Sequence, residues 1–347
     1  MRTSNTTGSP TAPPHRRITG AVWTALALVY VVWGSTYLGI RIVVETMPPF
    51  LSAGARFITA GLLLAGIVAW RSGPAALRAT GAQLRSAVLV GMLLILGGNG
   101  LVVLAETRVP SGLAALLVAS VPMWVVVLRA AGGDRPPART LVGVLIGLAG
   151  LAVLIGPELG GEVRLSGVLM VVAAAVLWSL GSFSASRLPL PGNPFTGSAY
   201  QMLAGGIGGI VVGLLRGEQR GLDLGAFSTA SWVAQAYLVL IGSVVGFTAY
   251  AWLLRAAPLS LVSTYAYVNP VVAVALGTLI LDEALTWPIL LGGGIVVVAV
   301  GVIVSTERTQ RRATPPAEGA GDRPRAEVDA ERPPVEVDVD QPPAARS

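Results

Sequence analysis

Ten stretches of mostly apolar residues, each long enough to cross a lipid bilayer, constrain this chain more than any other feature. A membrane-spanning helix needs about 20 such residues, because the hydrocarbon core of a bilayer is about 30 Å thick. The stretches lie near residues 19–40, 49–70, 86–105, 110–129, 139–156, 165–186, 195–215, 231–254, 258–281 and 286–305. The sequence therefore predicts an all-α integral membrane protein, a compact bundle of ten transmembrane helices.

The composition agrees with a membrane protein and excludes several kinds of chemistry. Of the 347 residues, 53% are hydrophobic and 12% are charged, whereas soluble domains carry about 25% charged residues. The chain has no Cys and no Lys, and its one histidine, His15, lies in a polar segment. Disulfides, thiolate chemistry, Ser-Lys or Ser-His pairs and His–metal sites are therefore unavailable within the stretches. We expect no enzyme activity, no cofactor and no bound metal.

The basic residues predict the orientation of the chain. All 24 are Arg, scattered at the ends of the apolar stretches, a distribution that does not predict nucleic-acid binding. If the N-terminus is cytoplasmic, the segments around the stretches hold 14 Arg on the cytoplasmic side and 5 on the other side. Cytoplasmic loops carry the excess of positive charge in membrane proteins. We therefore expect both termini to be cytoplasmic.

Landmark residues of the first half recur in the second half at a nearly constant spacing. Trp33 and Trp178 lie 145 positions apart, and Pro122 and Pro270 lie 148 positions apart. The common order and spacing indicate a duplicated unit of five helices. Because five is odd, the second unit enters the membrane with the opposite polarity. Such inverted repeats are typical of transporters that bind their substrate near the bilayer midplane.

The duplication divides the chain into four regions. Residues 19–156 and 165–305 form the two five-helix repeats. Residues 1–18 are polar, and residues 306–347 are rich in Pro, Ala, Asp, Glu and Arg and contain no aromatic residue. Such segments bury too little apolar surface to order themselves. We expect both to be disordered on the cytoplasmic side; for the second, a partner-binding role is the alternative.

Two of the apolar stretches carry a proline near their middle. Pro258–Leu281 reads as one helix that is interrupted once, at Asn269-Pro270, and the stretch at 110–129 carries Pro122 at the corresponding place. Proline has no N–H and crowds the carbonyl four residues before it. In lipid, a freed carbonyl needs a partner inside the protein or in a wet cavity. These helix breaks indicate a path through the bundle; the alternative is a kink that packs against its neighbours.

Several short motifs occur at characteristic places in the two halves. They are Trp33-Gly34-Ser35-Thr36-Tyr37, Ala55-Arg56-Phe57, Gly98-Asn99-Gly100, Ser263-Thr264-Tyr265-Ala266-Tyr267-Val268-Asn269-Pro270 and Asp282-Glu283. Together they resemble the EamA-type transporters of the drug/metabolite transporter superfamily, and an exporter subgroup among them. The resemblance implies ten helices in two repeats, a bacterial inner membrane, and efflux of small metabolites or drugs. The segment Gly133-Asp134-Arg135-Pro136 departs from the family pattern, which often has Glu there.

One face of the first helix carries Trp33, Tyr37 and Arg41, which are spaced four residues apart. A face that runs from aromatic to cationic can line a cavity and bind an amphipathic solute by stacking and cation–π contact. The alternative is an aromatic belt with an arginine at the helix end. We place Trp33 and Tyr37 in the cavity, together with Trp178, the repeat counterpart of Trp33. We interpret Arg41 as an end charge.

Arg56 is the strongest charge signal within an apolar stretch. An arginine inside the membrane costs at least about 2.5 kcal/mol and needs a partner or water. Glu106 is predicted to lie at a similar depth, so we expect an Arg56–Glu106 pair. This pair either serves transport or fixes two helices together. Gln201, 145 positions after Arg56, is its repeat counterpart and a further candidate for the cavity.

Three further polar residues are candidates for the substrate cavity. Asn99 lies between glycines and offers both a donor and an acceptor to a ligand; an interhelical hydrogen bond is the alternative. Tyr265 and Asn269 share one face of their helix, whereas Tyr267 points about 200° away from Tyr265. We assign Tyr265 and Asn269 to the cavity and Tyr267 to packing between helices.

These features predict a secondary active transporter, an exporter of small metabolites or drugs. The alternatives are an importer of the same solute class, or a non-coupled channel or sensor. The expected partners are a small-molecule substrate, the lipid bilayer and protons as the coupling ion. The carboxyl groups nearest to the membrane are those of Glu45, Glu106 and Glu283. We expect Glu283 to interact with the N-terminus of the tenth helix, where a negative charge is favourable.

Overall fold

The computed structural model describes residues 20–133, 136–155, 165–257 and 265–313, and every long element within these ranges is a helix. We number the helices in chain order. They are α1 (Gly20–Val43), α2 (Pro49–Ser72), α3 (Gly81–Ala105), α4 (Ser111–Ala131), α5 (Ala138–Ile155), α6 (Leu165–Ala185), α7 (Pro194–Leu215), α8 (229–256), α9 (Tyr265–Leu281) and α10 (Trp287–Ala313).

Most of these helices have the length and composition of membrane spans. In the described ranges, seven helices, α1–α4 and α6–α8, are long and apolar enough to cross a membrane, and α5, α9 and α10 contain shorter apolar segments. Large apolar side chains, among them Leu62, Val142 and Leu279, are exposed on the surface of the bundle. Such a surface suits lipid and would favour aggregation in water. The chain is an all-α, multi-pass membrane protein.

The C-terminal helix is longer than the sequence predicts. Helix α10 continues past residue 305, where we placed the start of the tail, to Ala313. The added residues include Glu, Arg and Gln, which have high helix propensity and extend the helix beyond its apolar part. The disorder expected for residues 1–18 lies outside the described residues, as does that expected for 314–347.

Helices of the first half pack mainly against helices of the second half. Helix α2 packs against α7, and α5 packs against α10. Helix α1 contacts α8 and α9, and α6 contacts α3 and α4. If the two halves are exchanged, so that α1 replaces α6 and α4 replaces α9, the same set of contacts results. An inverted repeat predicts this pattern.

Glycines allow the two helix pairs α2–α7 and α5–α10 to approach closely. A Cβ on Gly54 of α2 would lie 2.8 Å from the carbonyl oxygen of Gly206 of α7, and a Cβ on Gly206 would lie 3.0 Å from that of Gly54. In the other pair, a Cβ on Gly292 would lie 3.0 Å from the carbonyl oxygen of Gly150. Small residues stabilise helix pairs in membranes because close backbone approach replaces the missing hydrophobic driving force.

Helix α9 differs from our prediction. It runs without a break through Pro270, so the interruption predicted at Asn269-Pro270 is wrong for the described part of this helix. The side-chain amide of Asn269, in the orientation that satisfies its neighbours, donates to the carbonyl oxygens of Tyr265 (3.2 Å) and Tyr30 (3.3 Å). This amide supplies hydrogen bonds beside the proline, where the helix lacks an N–H donor. Residues 258–264, the start of the predicted stretch, lie outside the described residues.

Helix α4 is interrupted where its counterpart α9 is continuous. Its two helical segments, Ser111–Val118 and Val121–Ala131, are joined by a turn at Ala119-Ser120. Pro122 is the second residue of the later segment, a position where the missing N–H breaks no helical hydrogen bond. The proline in the first repeat therefore starts a new helical segment, whereas the proline in the second repeat lies inside one.

Candidate functional site

A cavity of about 160 Å³ lies between helices of both halves, α1–α4, α6, α8 and α9. Its walls are formed by Trp33, Thr36, Tyr37, Ile40, Arg56, Phe57, Ile95, Gly98, Asn99, Val102, Ala115, Val118, Ala119, Val121, Pro122, Ala174, Ala175, Trp178, Gly242, Phe247, Tyr265, Asn269 and Pro270. The wall is mostly apolar and aromatic, with a few polar side chains among the apolar ones. Small-molecule sites commonly have this composition.

Two π-helical segments contribute to the wall of the cavity. They are Met92–Gly100 in α3 and Leu238–Val245 in α8, and their first residues lie 146 positions apart (238 − 92). Gly98 and Asn99 from the first segment and Gly242 from the second line the cavity. A π-helical turn widens the backbone and often marks a functional site. The two halves therefore place the same unusual backbone at the same cavity.

Most of the candidates from the sequence meet at this cavity. Trp33, Tyr37, Asn99, Trp178, Tyr265 and Asn269 line it, as do Arg56, Pro122 and Pro270. Gln201 and Glu106 are not among the lining residues. The backbone of Gln201 lies against α3, since a Cβ on Gly91 would be 2.8 Å from its Cα. That the lining residues contact a solute stays a prediction, and the side chain of Tyr267 lies outside the described part of the chain.

Trp33 lies at the centre of an aromatic cluster whose other members come from helices α8 and α9 of the second half of the chain. Its ring centroid lies 5.5 Å from that of Phe247, 5.0 Å from that of Tyr250 and 5.2 Å from that of Tyr265. The indole lies directly on α8, because a Cβ on Gly246 would be 2.5 Å from its Nε1 atom. Aromatic pairs at such distances add stabilisation beyond that of buried area. Trp33, Phe247 and Tyr265 of this cluster form an aromatic wall of the cavity, with their rings at steep angles to one another.

Trp178 makes the reciprocal contact on the other side. Its ring lies on α3, where a Cβ on Gly98 would be 2.8 Å from its Cε3 atom. Gly98 and Gly246 lie 148 positions apart (246 − 98). Each tryptophan thus comes from one half and packs on a glycine of the other half. The lack of a side chain at these two glycines is what allows both indoles to reach the cavity.

Arg56 is 4% exposed and is one of the residues that line the cavity. Its Nε donates to the Ser243 hydroxyl at 3.1 Å, and its Cζ lies 4.7 Å from the centroid of the Phe57 ring. Its Nη1 is buried and has no hydrogen-bond partner. The direct Arg56–Glu106 pair that we predicted is absent: both side-chain oxygens of Glu106 lack a hydrogen-bond partner. Spacing along a helix does not give the rotation of α2 and α3, and this rotation decides which groups meet.

Glu106 directly follows α3 and is fully buried, outside the cavity wall. Arg41 donates from Nη1 to the backbone carbonyl of Glu106 and so leaves its carboxyl group free. Burial raises the pKa of this carboxyl group well above its usual range, and Glu283 raises it further, whereas Arg41 and Arg56 lower it. A protonated carboxyl at this place avoids the cost of a buried charge without a hydrogen bond.

Glu283 interacts with a helix N-terminus, but with a different one from that predicted. Its carboxylate accepts hydrogen bonds from the backbone N–H of Ser111 (2.7 Å) and Gly112 (3.0 Å) at the start of α4. Asp282, with φ of 52°, makes the left-handed turn that directs Glu283 away from α10. The expected contact with the tenth helix was therefore wrong. The favourable charge–dipole interaction is present, but at α4.

Glu218 plays the same role for α2, and the sequence analysis missed it. Its carboxylate accepts from the backbone N–H of Phe50 and of Leu51, each at 3.0 Å. Helices α2 and α4 both follow a proline, Pro48 and Pro110, and neither has a capping side chain of its own. A helix that begins this way leaves N–H groups without partners. A proline at the helix start, with no capping side chain next to it, could therefore have indicated that an acidic residue from elsewhere in the chain caps the helix.

Comparison with known proteins gives the family. The sequence pattern of the EamA-like transporter family matches the chain twice, over residues 19–156 and 165–305. The chain belongs to the EamA-like transporter family. It is 39% identical to the uncharacterized inner membrane transporter YedA of Escherichia coli strain K12, over 80% of this chain and 89% of that protein. This match agrees with the family resemblance of the motifs in the sequence.

More distant similarities cover a comparable length. The chain is 27% identical to a probable amino-acid metabolite efflux pump of Escherichia coli strain K12, over 75% of this chain and 86% of that protein. It is 24% identical to the uncharacterized transporter YvbV of Bacillus subtilis strain 168, over 83% of this chain and 93% of that protein. A solved crystal structure matches this chain with a TM-score of 0.57 and 21% sequence identity. The match covers 82% of this chain and 95% of the chain in that structure. That likeness shows that the chain shares the fold of that structure.

The first family motif, Trp33-Gly34-Ser35-Thr36-Tyr37, has a structural explanation at each position. A Cβ on Gly34 would lie 2.6 Å from the Cβ of Val272, so glycine allows α1 and α9 to touch. The Ser35 hydroxyl makes a hydrogen bond with the Tyr237 hydroxyl of α8. The other three residues line the cavity. The departure from the family pattern at Asp134-Arg135 lies outside the described residues.

Proposed function

We propose that this EamA-like protein is a secondary active transporter that exports small metabolites or drugs across the bacterial inner membrane. One observation carries the proposal: a cavity is enclosed by helices of both halves and combines aromatic walls with a few buried polar groups. A site between two structural repeats is the arrangement from which alternating access operates. The name of the relative described as an efflux pump supports export as the direction.

The proposal includes ten membrane-spanning helices arranged as two inverted five-helix repeats. Three features support it: the exchange of helix contacts between the halves, the π-helical segments in α3 and α8, and the reciprocal Trp33–Gly246 and Trp178–Gly98 contacts. Helices α5, α9 and α10 complete the ten, although their apolar segments are shorter than those of the other helices. Short spans that pack on neighbours are accommodated by local thinning of the bilayer.

The arginine distribution supports cytoplasmic termini, and labelling tests this orientation. The chain has no native cysteine, so single cysteines can be introduced at Ser72 and Ser347 without further changes. Both should resist a membrane-impermeant thiol reagent in intact cells and react after permeabilisation. If both cysteines reacted in intact cells, the chain would have the opposite orientation to the one proposed.

We further propose that protons drive the export and that Glu106 carries the coupling proton. Its carboxyl group is buried, lacks a hydrogen-bond partner and lies where Arg41, Arg56 and Glu283 influence its charge. A carboxyl in such a setting exchanges its proton when the surroundings change between two conformations. Neutral Glu106→Gln should retain exchange of solute between two equal compartments and lose accumulation driven by a pH gradient.

Solute flux in proteoliposomes tests the proposed function. The purified full chain is reconstituted, and uptake of labelled amino acids and cationic dyes is followed with and without a pH gradient. A secondary transporter accumulates at least one solute against its concentration gradient, and only while the pH gradient lasts. Downhill flux without accumulation would indicate a channel. Absence of flux for every solute would contradict a transport function.

A further inference from the structure

The cavity contains a buried positive charge whose hydrogen bonding is incomplete. Arg56 is buried to 4% exposure, and its Nη1 has no partner. Its Nε contact is to Ser243, a neutral hydroxyl. Burying a guanidinium is costly unless it is paired and its donors are satisfied. Arg56 therefore has hydrogen-bond donor capacity that the described residues do not use.

Among the described residues, no acidic side chain makes a hydrogen bond with Arg56. The side-chain oxygens of Glu106 make no hydrogen bond, and this residue does not line the cavity. Glu218 and Glu283 are engaged at the N-termini of α2 and α4. Among the described residues that form the cavity wall, Arg56 is the only one charged at neutral pH. A cationic solute would meet repulsion there and no compensating carboxylate.

A second unpaired polar atom lies in the same wall. Asn99 Oδ1 is buried and has no hydrogen-bond partner. A carbonyl oxygen accepts from an N–H or O–H group. Leaving such an atom without a partner costs free energy that a bound ligand would recover. Arg56 can donate a hydrogen bond, and Asn99 Oδ1 can accept one. The cavity therefore suits a solute that carries both an acceptor and a donor.

The rest of the wall is suited to an apolar group of limited size. Trp33, Phe247 and Tyr265 form an aromatic surface of rings packed edge to face, and Phe57 and Trp178 also line the cavity. The volume of about 160 Å³ is close to that of an apolar protein cavity of about 150 Å³ that binds benzene. A phenyl-sized group fits this space, and a large dye does not.

Building on the proposed transport function, we propose that the cavity is a binding site for a small organic carboxylate with an aromatic or apolar body. Arg56 binds the carboxylate through its guanidinium group, the aromatic wall receives the body, and Asn99 Oδ1 accepts from a donor group of the solute. Guanidinium and carboxylate are complementary in charge and in planar geometry. Neutral and cationic solutes of the same shape are discriminated against at Arg56.

Calorimetric binding to the purified full chain tests this assignment with three probes of one shape: phenylacetate, phenylacetamide and 2-phenylethylammonium. The wild type should bind phenylacetate at least about 10-fold more tightly than the amide, because a hydrogen bond to a charged group is stronger than one to a neutral group. The ammonium probe should bind most weakly. Equal binding of all three, or binding of none, would overturn the assignment.

Substitutions place the effect at Arg56. Arg56→Gln should abolish the preference for phenylacetate over phenylacetamide, and Arg56→Lys should retain part of it. Arg71→Gln, at the exposed end of the same helix, is the matched control and should leave the preference intact. If Arg56→Gln does not fold, Asn99→Asp provides the test, because a carboxylate at that position should weaken phenylacetate binding about 10-fold or more by repulsion and spare the amide. An unchanged preference in the folded variant would overturn the assignment.

Flux experiments separate this inference from the transport function on which it rests. Gradient-driven uptake of neutral or cationic solutes that is unaffected by Arg56→Gln would overturn the carboxylate site while transport stands. Phenylacetate binding that depends on Arg56, without flux of any solute, would support the site and contradict transport.

Discussion

The two halves of the molecule place a tryptophan on a glycine in the same way, yet they equip the cavity differently. Trp33 lies on Gly246, and Trp178 lies on Gly98. The residue that follows the glycine is Asn99 in the first half and Phe247 in the second, and both line the cavity. The backbone frame is repeated, whereas the side chains it presents are polar on one side and aromatic on the other.

The same divergence separates Arg56 from its repeat counterpart. Arg56 lines the cavity, whereas Gln201 packs its backbone against α3 and does not reach the wall. Helix capping is unequal too: α7 is capped by its own Asn193, whereas α2 and α4 of the first half are capped by Glu218 and Glu283 of the second. Duplication accounts for the position of the cavity. Its chemistry comes from the places where the halves differ.

The largest effect should follow from adding side chains to the two equivalent glycines. Gly98→Val and Gly246→Val would each place atoms where an indole ring now lies, since a Cβ alone would be within 2.8 Å and 2.5 Å of Trp178 and Trp33. Overpacking of this kind costs about 1–3 kcal/mol. We expect both variants to lose transport at least about 10-fold, since displaced rings fill the cavity. Initial rates in proteoliposomes provide the measurement.

Glycines with open surroundings are the control for this pair. A Cβ on Gly66 of α2 would meet nothing within 4 Å, so Gly66→Ala should keep the wild-type rate. If only one of Gly98→Val and Gly246→Val reduced transport, the Trp178–Gly98 and Trp33–Gly246 contacts would not be functionally equivalent. The claim that the two halves use this contact in the same way would then be wrong.

A smaller effect is expected at the caps that cross from the second half to the first. Glu218→Gln and Glu283→Gln each replace a carboxylate that accepts two backbone N–H groups. Loss of such charge-assisted bonds costs about 1–2 kcal/mol. Both variants should melt at a lower temperature in detergent than the wild type. Exposed Glu45 serves as the control, and Glu45→Gln should melt as the wild type does. If both variants melted at the same temperature as that control, the two carboxylates would not stabilise the protein as helix caps.

The sequence predicts the frame of this protein better than the contacts between its helices. Membrane spans are predictable because the bilayer sets their length and excludes polar residues. Some residues of the cavity wall, Arg56 and Asn99 among them, were expected from the sequence because polar and ionisable side chains are rare and costly in such helices. The Arg56–Glu106 pair and the target of Glu283 were predicted wrongly, because the rotation and crossing of helices decide which side chains meet. Glu218 was missed because its partners are backbone N–H groups 168 and 167 residues away.

The smallest effect should be a pH dependence that comes from Glu106. Because burial raises its pKa in the folded chain, the unfolded chain loses this proton first as the pH rises above the ordinary value of 4.5. The wild type therefore loses stability relative to Glu106→Gln as the pH rises through that range, and the two converge at lower pH. Arg41, Arg56, Glu283 and Tyr37 are the charged or titratable groups around it.

Melting temperatures of both proteins in detergent between pH 4 and pH 8 measure this difference. The gap between wild type and Glu106→Gln should widen steadily with pH. A gap that stays constant would show that Glu106 has the same proton affinity in the folded and unfolded chains.

Access to the cavity from both faces of the membrane tests the central claim most directly. Thr36 lines the cavity, and Thr140 is equally small, fully buried and away from it. In a chain without native cysteine, Thr36→Cys should react with an impermeant thiol reagent in right-side-out and in inverted vesicles, because alternating access opens the cavity to each side in turn. Thr140→Cys should react in neither. Reaction of Thr36→Cys from one face only, or from neither face, would contradict the transporter account.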